Sequence, residues 1–99
     1  EELLTELLTQ MITDNLPTDT DILKQAYHDN DWAMVEKIAH KMKGGAVYCG
    51  IITLKYACQY LERYQKAGQT QHLNALYLQL ISVIDETTHA ILSWIKKSA

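Results

Sequence analysis

Apolar residues recur every three to four positions along nearly the whole chain, which is the period of an α-helix that buries one face. This spacing favours helices over strands throughout. The pattern predicts five helices: one that stops before Pro17, a short one through Tyr27, and three longer ones over about 32–48, 51–67 and 70–97.

Residues at the helix ends support these bounds. Thr18 followed by Asp21 resembles a capping box, and Asp31 is a suitable N-cap for the third helix. Gly50 and Gly68 follow the third and fourth helices, and glycine commonly ends a helix. Because the connections are short, neighbouring helices are expected to run antiparallel.

We therefore predict an all-α fold, an antiparallel up-and-down helical bundle with a four-helix core and a short N-terminal helix. The third and fourth helices form its central hairpin, and their inner faces carry Val35, Ile38, Met42, Ala46, Leu54, Cys58 and Leu61. Ninety-nine residues suffice for one modest core, so residues 1–99 are expected to form a single domain. The chain begins without Met, which favours a module of a longer protein.

Composition and charge narrow the possible functions. An apolar content of 47% with a single Pro is not that of a disordered chain. No apolar run approaches the ~18 residues of a membrane span, so we expect no direct membrane contact. A net charge of −3 argues against nucleic acid as the main partner. The domain is expected to be monomeric.

The cysteines and histidines do not form a metal-binding pattern. Cys49 and Cys58 lie nine positions apart without a CxxC pair, and the four histidines are too far apart in sequence to complete a zinc site. Two reduced, packed thiols are the favoured interpretation. We expect neither a metal nor another cofactor in this chain.

One histidine of the third helix differs from the scaffold around it. His40 lies about 160° around the helix from both Ile38 and Met42, so its imidazole should point away from the core. Gly44 lies one turn further on the same face, where a missing side chain would let another molecule approach the imidazole. Each helical glycine costs roughly 1 kcal/mol against alanine, so the Gly44-Gly45 pair requires a reason. Close helix packing is the alternative reason, and it suits Gly45.

Lysines surround this histidine in the sequence. Lys37 and Lys43 lie three positions before and after His40, outward with it, and Lys41 is adjacent. Residues 32–58 hold four lysines against one glutamate, a net charge of +3, while the rest of the chain carries −6. Such cations suppress protonation of an imidazole and stabilise an attached phosphoryl dianion. A solvated basic face with local ion pairs is the alternative.

The predicted hairpin adds a carboxylate. With the turn near Gly50, His40 should face the neighbourhood of Gln59, Glu62 and Arg63. If Glu62 accepts a hydrogen bond from Nδ1–H of His40, it fixes the tautomer and leaves Nε2 free to attack phosphorus. An ordinary surface glutamate is the alternative.

The segment 39–50 reads AHKMKGGAVYCG. It resembles the AHxLKGxAxxxG pattern of the histidine-containing phosphotransfer (HPt) domain of multistep phosphorelays, with Met42 in place of the usual leucine. The pattern continues in Leu61-Glu62, where this family commonly has Leu followed by Glu or Gln. The resemblance is specific over this stretch and extends over the remaining helices only in kind.

The resemblance implies a role for each matched residue. His40 would be the phosphoacceptor, Lys43 would steady the phosphoryl group, Glu62 would orient the imidazole, and Gly44 would make room for a docking partner. The implied partners are response-regulator receiver domains, which would bring the Mg²⁺ that phosphoryl transfer uses. The chain would then be a phosphohistidine carrier without independent catalysis.

Further residues are expected to contact the receiver. Lys37 and Lys41 follow from electrostatics and are not part of the family pattern. Val47 and Tyr48 are bulky where the family is often small or polar. They either shape which receiver docks or pack internally.

Two other functions stay open at this point. The phosphoacceptor domain of a chemotaxis-type histidine kinase shares a similar HxxKGxA stretch, but it takes phosphate from an ATP-binding domain of the same protein. A non-catalytic helical adaptor would use the hairpin as its binding surface. We expect a cytoplasmic domain, either free or as the cytoplasmic module of a membrane-bound hybrid sensor kinase.

Overall fold

The computed structural model describes residues 2–98, and every regular element in that part of the chain is a helix. The elements are α1 (Glu2–Gln10), a π-helical turn (Met11–Asn15), α2 (Leu16–His28), α3 (Trp32–Cys49), α4 (Ile52–Lys66) and α5 (Leu73–Ser98). The predicted all-α class and helical bundle are confirmed. The bundle is elongated, with extents of 44 × 21 × 17 Å.

Helices α3 and α4 form the closest-packed pair, α5 packs on α4, and α2 packs on α3. The predicted inner positions of α3 and α4 are all buried. Burial of these side chains removes apolar surface from water, which is the main stabilising term of such a bundle. The largest fully buried side chains are Leu23, Leu54, Leu61, Leu80, Val35 and Cys58.

The turn between α3 and α4 sets the register of the hairpin. Gly50 has a φ of 74°, the left-handed conformation that ends a helix at low cost only for glycine. The amide of Ile51 donates to the carbonyl of Ala46 at 2.8 Å, and the amide of Gly50 donates to that of Val47. This tight closure fixes which residues of the two helices lie side by side.

The N-terminal region differs from the prediction. We expected the first helix to stop before Pro17, but the backbone stays helical from Glu2 to His28. The π-helical turn ends just before Leu16, so Pro17 lies in the first turn of α2, where a missing N–H costs little. The predicted break was therefore wrong, because proline is compatible with a helical path at that position.

The capping signals were right at one site and wrong at another. Asp31 caps α3, since its carboxylate accepts from the amide of Met34 at 3.1 Å. Thr18 and Asp21 do not form a cap, because they lie inside α2 and not at its start. The last helix begins at Leu73, later than predicted.

Two further observations concern the whole described chain. Among residues 2–98, no helix is both long enough and apolar enough to cross a bilayer. Both cysteines are free thiols, with Cys58 buried and Cys49 half-buried. Burial raises the pKa of the Cys58 thiol to about 12, and the nearby Glu62 carboxylate adds to this effect.

Candidate functional site

His40 lies on the outer face of α3, where it faces α4. Its side chain is 65% exposed, whereas Ala39, directly before it, and Met42, two positions after it, are buried. The helical period therefore turns His40 outward, as predicted. The imidazole is accessible to another molecule while its backbone is held in a packed helix.

Glu62 of α4 is the immediate partner of this histidine. Nδ1 of His40 and Oε2 of Glu62 are 2.6 Å apart, and Glu62 is only 3% exposed. The glutamate is thus not an ordinary surface residue, and that alternative is wrong. The two residues therefore lie side by side in the hairpin, as predicted.

Lys43 binds the other oxygen of the same carboxylate. Its Nζ donates to Oε1 of Glu62 at 2.7 Å, and the lysine side chain is 25% exposed. We expected Lys43 to point freely outward beside His40. It is instead half-buried against α4, because a carboxylate withdrawn from water requires a close cationic partner.

The surroundings keep Glu62 ionised. Burial alone would raise its pKa, but hydrogen bonds from Lys43, His40 and Lys66 outweigh burial and lower the pKa to about 2. An ionised carboxylate can only accept hydrogen bonds. The Nδ1 of His40 must therefore carry the proton of their short hydrogen bond, which leaves the lone pair of the neutral ring on Nε2.

Lys66 is a site residue that the sequence reasoning missed. Its Nζ lies 3.4 Å from Oε2 of Glu62 and 3.6 Å from Oε2 of Glu36, so it connects α4 back to α3. A signal was present, because glutamate four positions before lysine is a favourable helical pair. It was overlooked since Lys66 lies far from His40 in the sequence.

The other two lysines take different positions. Lys41 binds the buried Asp19 of α2, with Nζ 2.8 Å from Oδ1, and so its charge is compensated on that side of α3. Lys37 is exposed and lines a shallow concavity together with His40 and Glu62. The predicted cluster of lysines therefore gathers Lys37 and Lys43 beside the histidine, while Lys41 is turned toward α2.

The surface on the other side of His40 is open and apolar. A Cβ added at Gly44 would meet no atom within 4 Å, so the space beside this glycine is open. Val47 is 56% exposed and Tyr48 is 76% exposed, which excludes internal packing as the reason for their size. Ile52, at the start of α4, is 66% exposed and lines one shallow depression together with Val47.

The arrangement suits nucleophilic attack by a nitrogen. The histidine is accessible, its tautomer is held by a buried carboxylate, and cations lie close enough to attract an incoming dianion. In residues 2–98, no group of three or more His, Cys, Asp or Glu side chains lies close enough to hold a metal ion.

Comparison with known proteins agrees with this geometry. The family model described as the Hpt domain matches residues 6–93, which is most of the chain. Neither the curated proteins nor the solved structures contain a significant match.

We predict that Glu62→Gln lowers the free energy of unfolding at pH 7 by about 1–3 kcal/mol, because Lys43 loses its ionised partner. In the wild type, the folded-state pKa of about 2 lies below the usual 4.5, so the contribution of Glu62 is complete above pH 4.5 and is lost as the pH falls toward 2. The variant should show a flatter loss of stability over this range. Urea unfolding at several pH values measures both effects.

The exposed Glu86 of α5 provides the matched control. Glu86→Gln makes the same chemical change away from the site and should alter the unfolding free energy at pH 7 by less than about 0.5 kcal/mol. Identical pH profiles for Glu62→Gln and the wild type would show that Glu62 is not held in its ionised form by the fold.

Proposed function

The chain belongs to the Hpt domain family, and on that premise we propose that it is an intermediate of a phosphorelay whose phosphoacceptor is His40. Membership of the family implies histidine phosphotransfer. In the proposed reaction, Nε2 of His40 accepts a phosphoryl group from an aspartyl phosphate of one receiver domain and passes it to an aspartate of another. The chain has no turnover of its own in this proposal.

The observation that carries the proposal is the 2.6 Å contact between Nδ1 of His40 and the buried Glu62. It prepares one ring nitrogen as the nucleophile before any partner arrives. A histidine on a solvated face would distribute its proton between both nitrogens and rotate freely. The fold has thus already ordered the ring, so the docking of a receiver does not have to provide the free energy for that ordering.

The chemistry balances without any further reactant. The lone pair of Nε2 forms the new N–P bond, the P–O bond to the donor aspartate breaks, and that aspartate leaves as a carboxylate. The proton stays on Nδ1, so the phosphorylated ring gains a positive charge, which Glu62 is placed to stabilise. Transfer to the next receiver reverses these steps and restores the neutral ring.

Charge neutralisation is divided between the two partners in our proposal. Lys43 and Lys37 supply positive charge next to His40, where the transferring group carries negative charge. The receiver supplies Mg²⁺, which would polarise the phosphoryl oxygens during the transfer. This division is consistent with the two carboxylates near His40, Glu36 and Glu62, because both are already paired with lysines.

We further propose that the receiver docks across Gly44 and Val47. The exposed valine and its apolar neighbours offer a surface that a folded partner can cover, and the absent side chain at Gly44 allows close approach to the imidazole. Lys37 lies at the polar edge of this surface. In this proposal Lys41 contributes less to docking than Lys37, because its ammonium group is bound to Asp19.

The proposal is tested by phosphoryl transfer from a panel of phosphorylated receiver domains. At least one receiver should label the wild-type chain with a base-stable, acid-labile phosphate, and His40→Gln should remove this label. His89→Gln is the matched control, since His89 is an exposed helical histidine whose carboxylate neighbour, Asp85, is itself exposed. Equal labelling of wild type and His40→Gln would contradict the assignment, and labelling only by an ATP-binding kinase domain would favour the chemotaxis-type alternative.

Substitution of Gly44 tests the docking surface separately. Gly44→Ala and Gly44→Leu should both preserve or slightly raise stability, by up to about 1 kcal/mol, because each residue is a better helix former than glycine. Transfer from a receiver should fall at least tenfold for Gly44→Leu and little for Gly44→Ala. Transfer rates are measured by rapid quench, and unchanged transfer in Gly44→Leu would remove Gly44 from the docking surface.

A further inference from the structure

Lys66 is held differently from the other cation that contacts Glu62. Lys43 makes a single 2.7 Å hydrogen bond and is largely covered, whereas Lys66 lies 3.4 and 3.6 Å from two carboxylates. The Lys66 side chain is 59% exposed. Contacts of this length on an exposed side chain contribute little, so the ammonium group can move at small cost.

The position of Lys66 places it next to the reacting ring. It contacts Oε2 of Glu62, the same oxygen that accepts from Nδ1 of His40. The ammonium also lines one concavity with the imidazole, of about 290 Å³ and formed by Ala33, Glu36, Lys37, His40, Glu62 and Lys66. A phosphoryl group on His40 would therefore be a third anion within the surroundings of Lys66.

Glu36 is the competing anion in this arrangement. Glu36 lies on α3, one turn before His40, and lines the same concavity. Its side chain is only 25% exposed. Glu62 already has close partners in Lys43 and His40, and it loses little when Lys66 departs. Glu36 has no other ion pair of 4 Å or less among the described residues.

We propose, on the basis of the proposed function, that Lys66 moves from the two carboxylates to the phosphoryl group on His40, and that Glu36 opposes this movement. Lys66 is then a positioning residue for the phosphorylated state, in addition to the lysine of the family pattern. The pair sets how strongly the domain holds its phosphoryl group. Loss of Lys66 and loss of Glu36 must act in opposite directions, because one removes the attracting cation and the other releases it.

The test uses chemical phosphorylation of the whole chain with potassium phosphoramidate, followed by a ³¹P NMR pH titration. A nearby cation favours the dianionic phosphoryl group and lowers its pKa. The resonance that His40→Gln lacks is assigned to phosphorylated His40. Lys66→Gln should raise the phosphoryl pKa by about 0.5, the effect of one charge at about 6 Å in a solvated site.

Three further variants separate charge from structure. Lys66→Arg keeps the charge and should titrate within about 0.2 of the wild type, whereas Glu36→Gln should lower the phosphoryl pKa by a few tenths. In the double variant that combines Lys66→Gln with Glu36→Gln, the effect of Glu36→Gln on the phosphoryl pKa should largely disappear if Glu36 acts through Lys66. Lys24→Gln, on the exposed face of α2, removes the same charge elsewhere and should leave the titration unchanged.

The outcomes distinguish this proposal from the function on which it rests. If receivers transfer phosphate to His40 but Lys66→Gln titrates like the wild type, the role of Lys66 is wrong and the proposed function stands. An undiminished effect of Glu36→Gln in the double variant would overturn the competition between the two residues. If neither receivers nor phosphoramidate phosphorylate His40, both proposals fail together.

Discussion

The site depends on one buried carboxylate. Glu62 is withdrawn from water between α3 and α4, and a charge in such a position is tolerated only with close partners. Those partners are Lys43 and His40 from α3, with Lys66 from its own helix. The same contacts that satisfy the carboxylate also orient the imidazole, so the stability of the hairpin and the orientation of the His40 ring have a common origin.

The surroundings of His40 are asymmetric in a way that fits two different tasks. Toward the start of α3 lies a polar concavity with Lys37 and Lys66, which can attract and retain an anion. Toward the end of α3 lie Gly44 and Val47, where the surface is open and apolar. Under the proposed function, attraction of phosphate and contact with a protein partner would thus occupy opposite sides of one ring. If that function is correct, a substitution on one side can alter phosphate affinity without altering docking.

The sequence predicted the parts of this arrangement that depend on helical geometry. The period of α3 places His40 opposite its core residues, and the glycine turn at Gly50 fixes the register that brings Glu62 to it. The direction of long side chains could not be predicted in the same way. Whether Lys41 turns to Asp19 depends on how α2 packs on α3, and no pattern within α3 contains that information.

The N-terminal half of the chain shows a second limit. Proline is a reliable sign that a helical hydrogen bond is missing, but it does not reveal whether the chain turns away or continues. Here a π-helical turn precedes Pro17 and the path continues into α2, which carries the Asp19 that Lys41 binds. That outcome depends on the packing of the N-terminal helices against the rest of the bundle.

The tautomer of His40 shows directly whether the buried Glu62 orients the ring, and two-dimensional ¹H–¹⁵N NMR of the imidazole nitrogens near neutral pH measures it. A proton on Nδ1, with Nε2 at the chemical shift of an unprotonated nitrogen, is the predicted result. Phosphorylation should then appear at Nε2. A proton on Nε2, or equal averaging over both nitrogens as in a free histidine, would show that the buried carboxylate does not direct the ring.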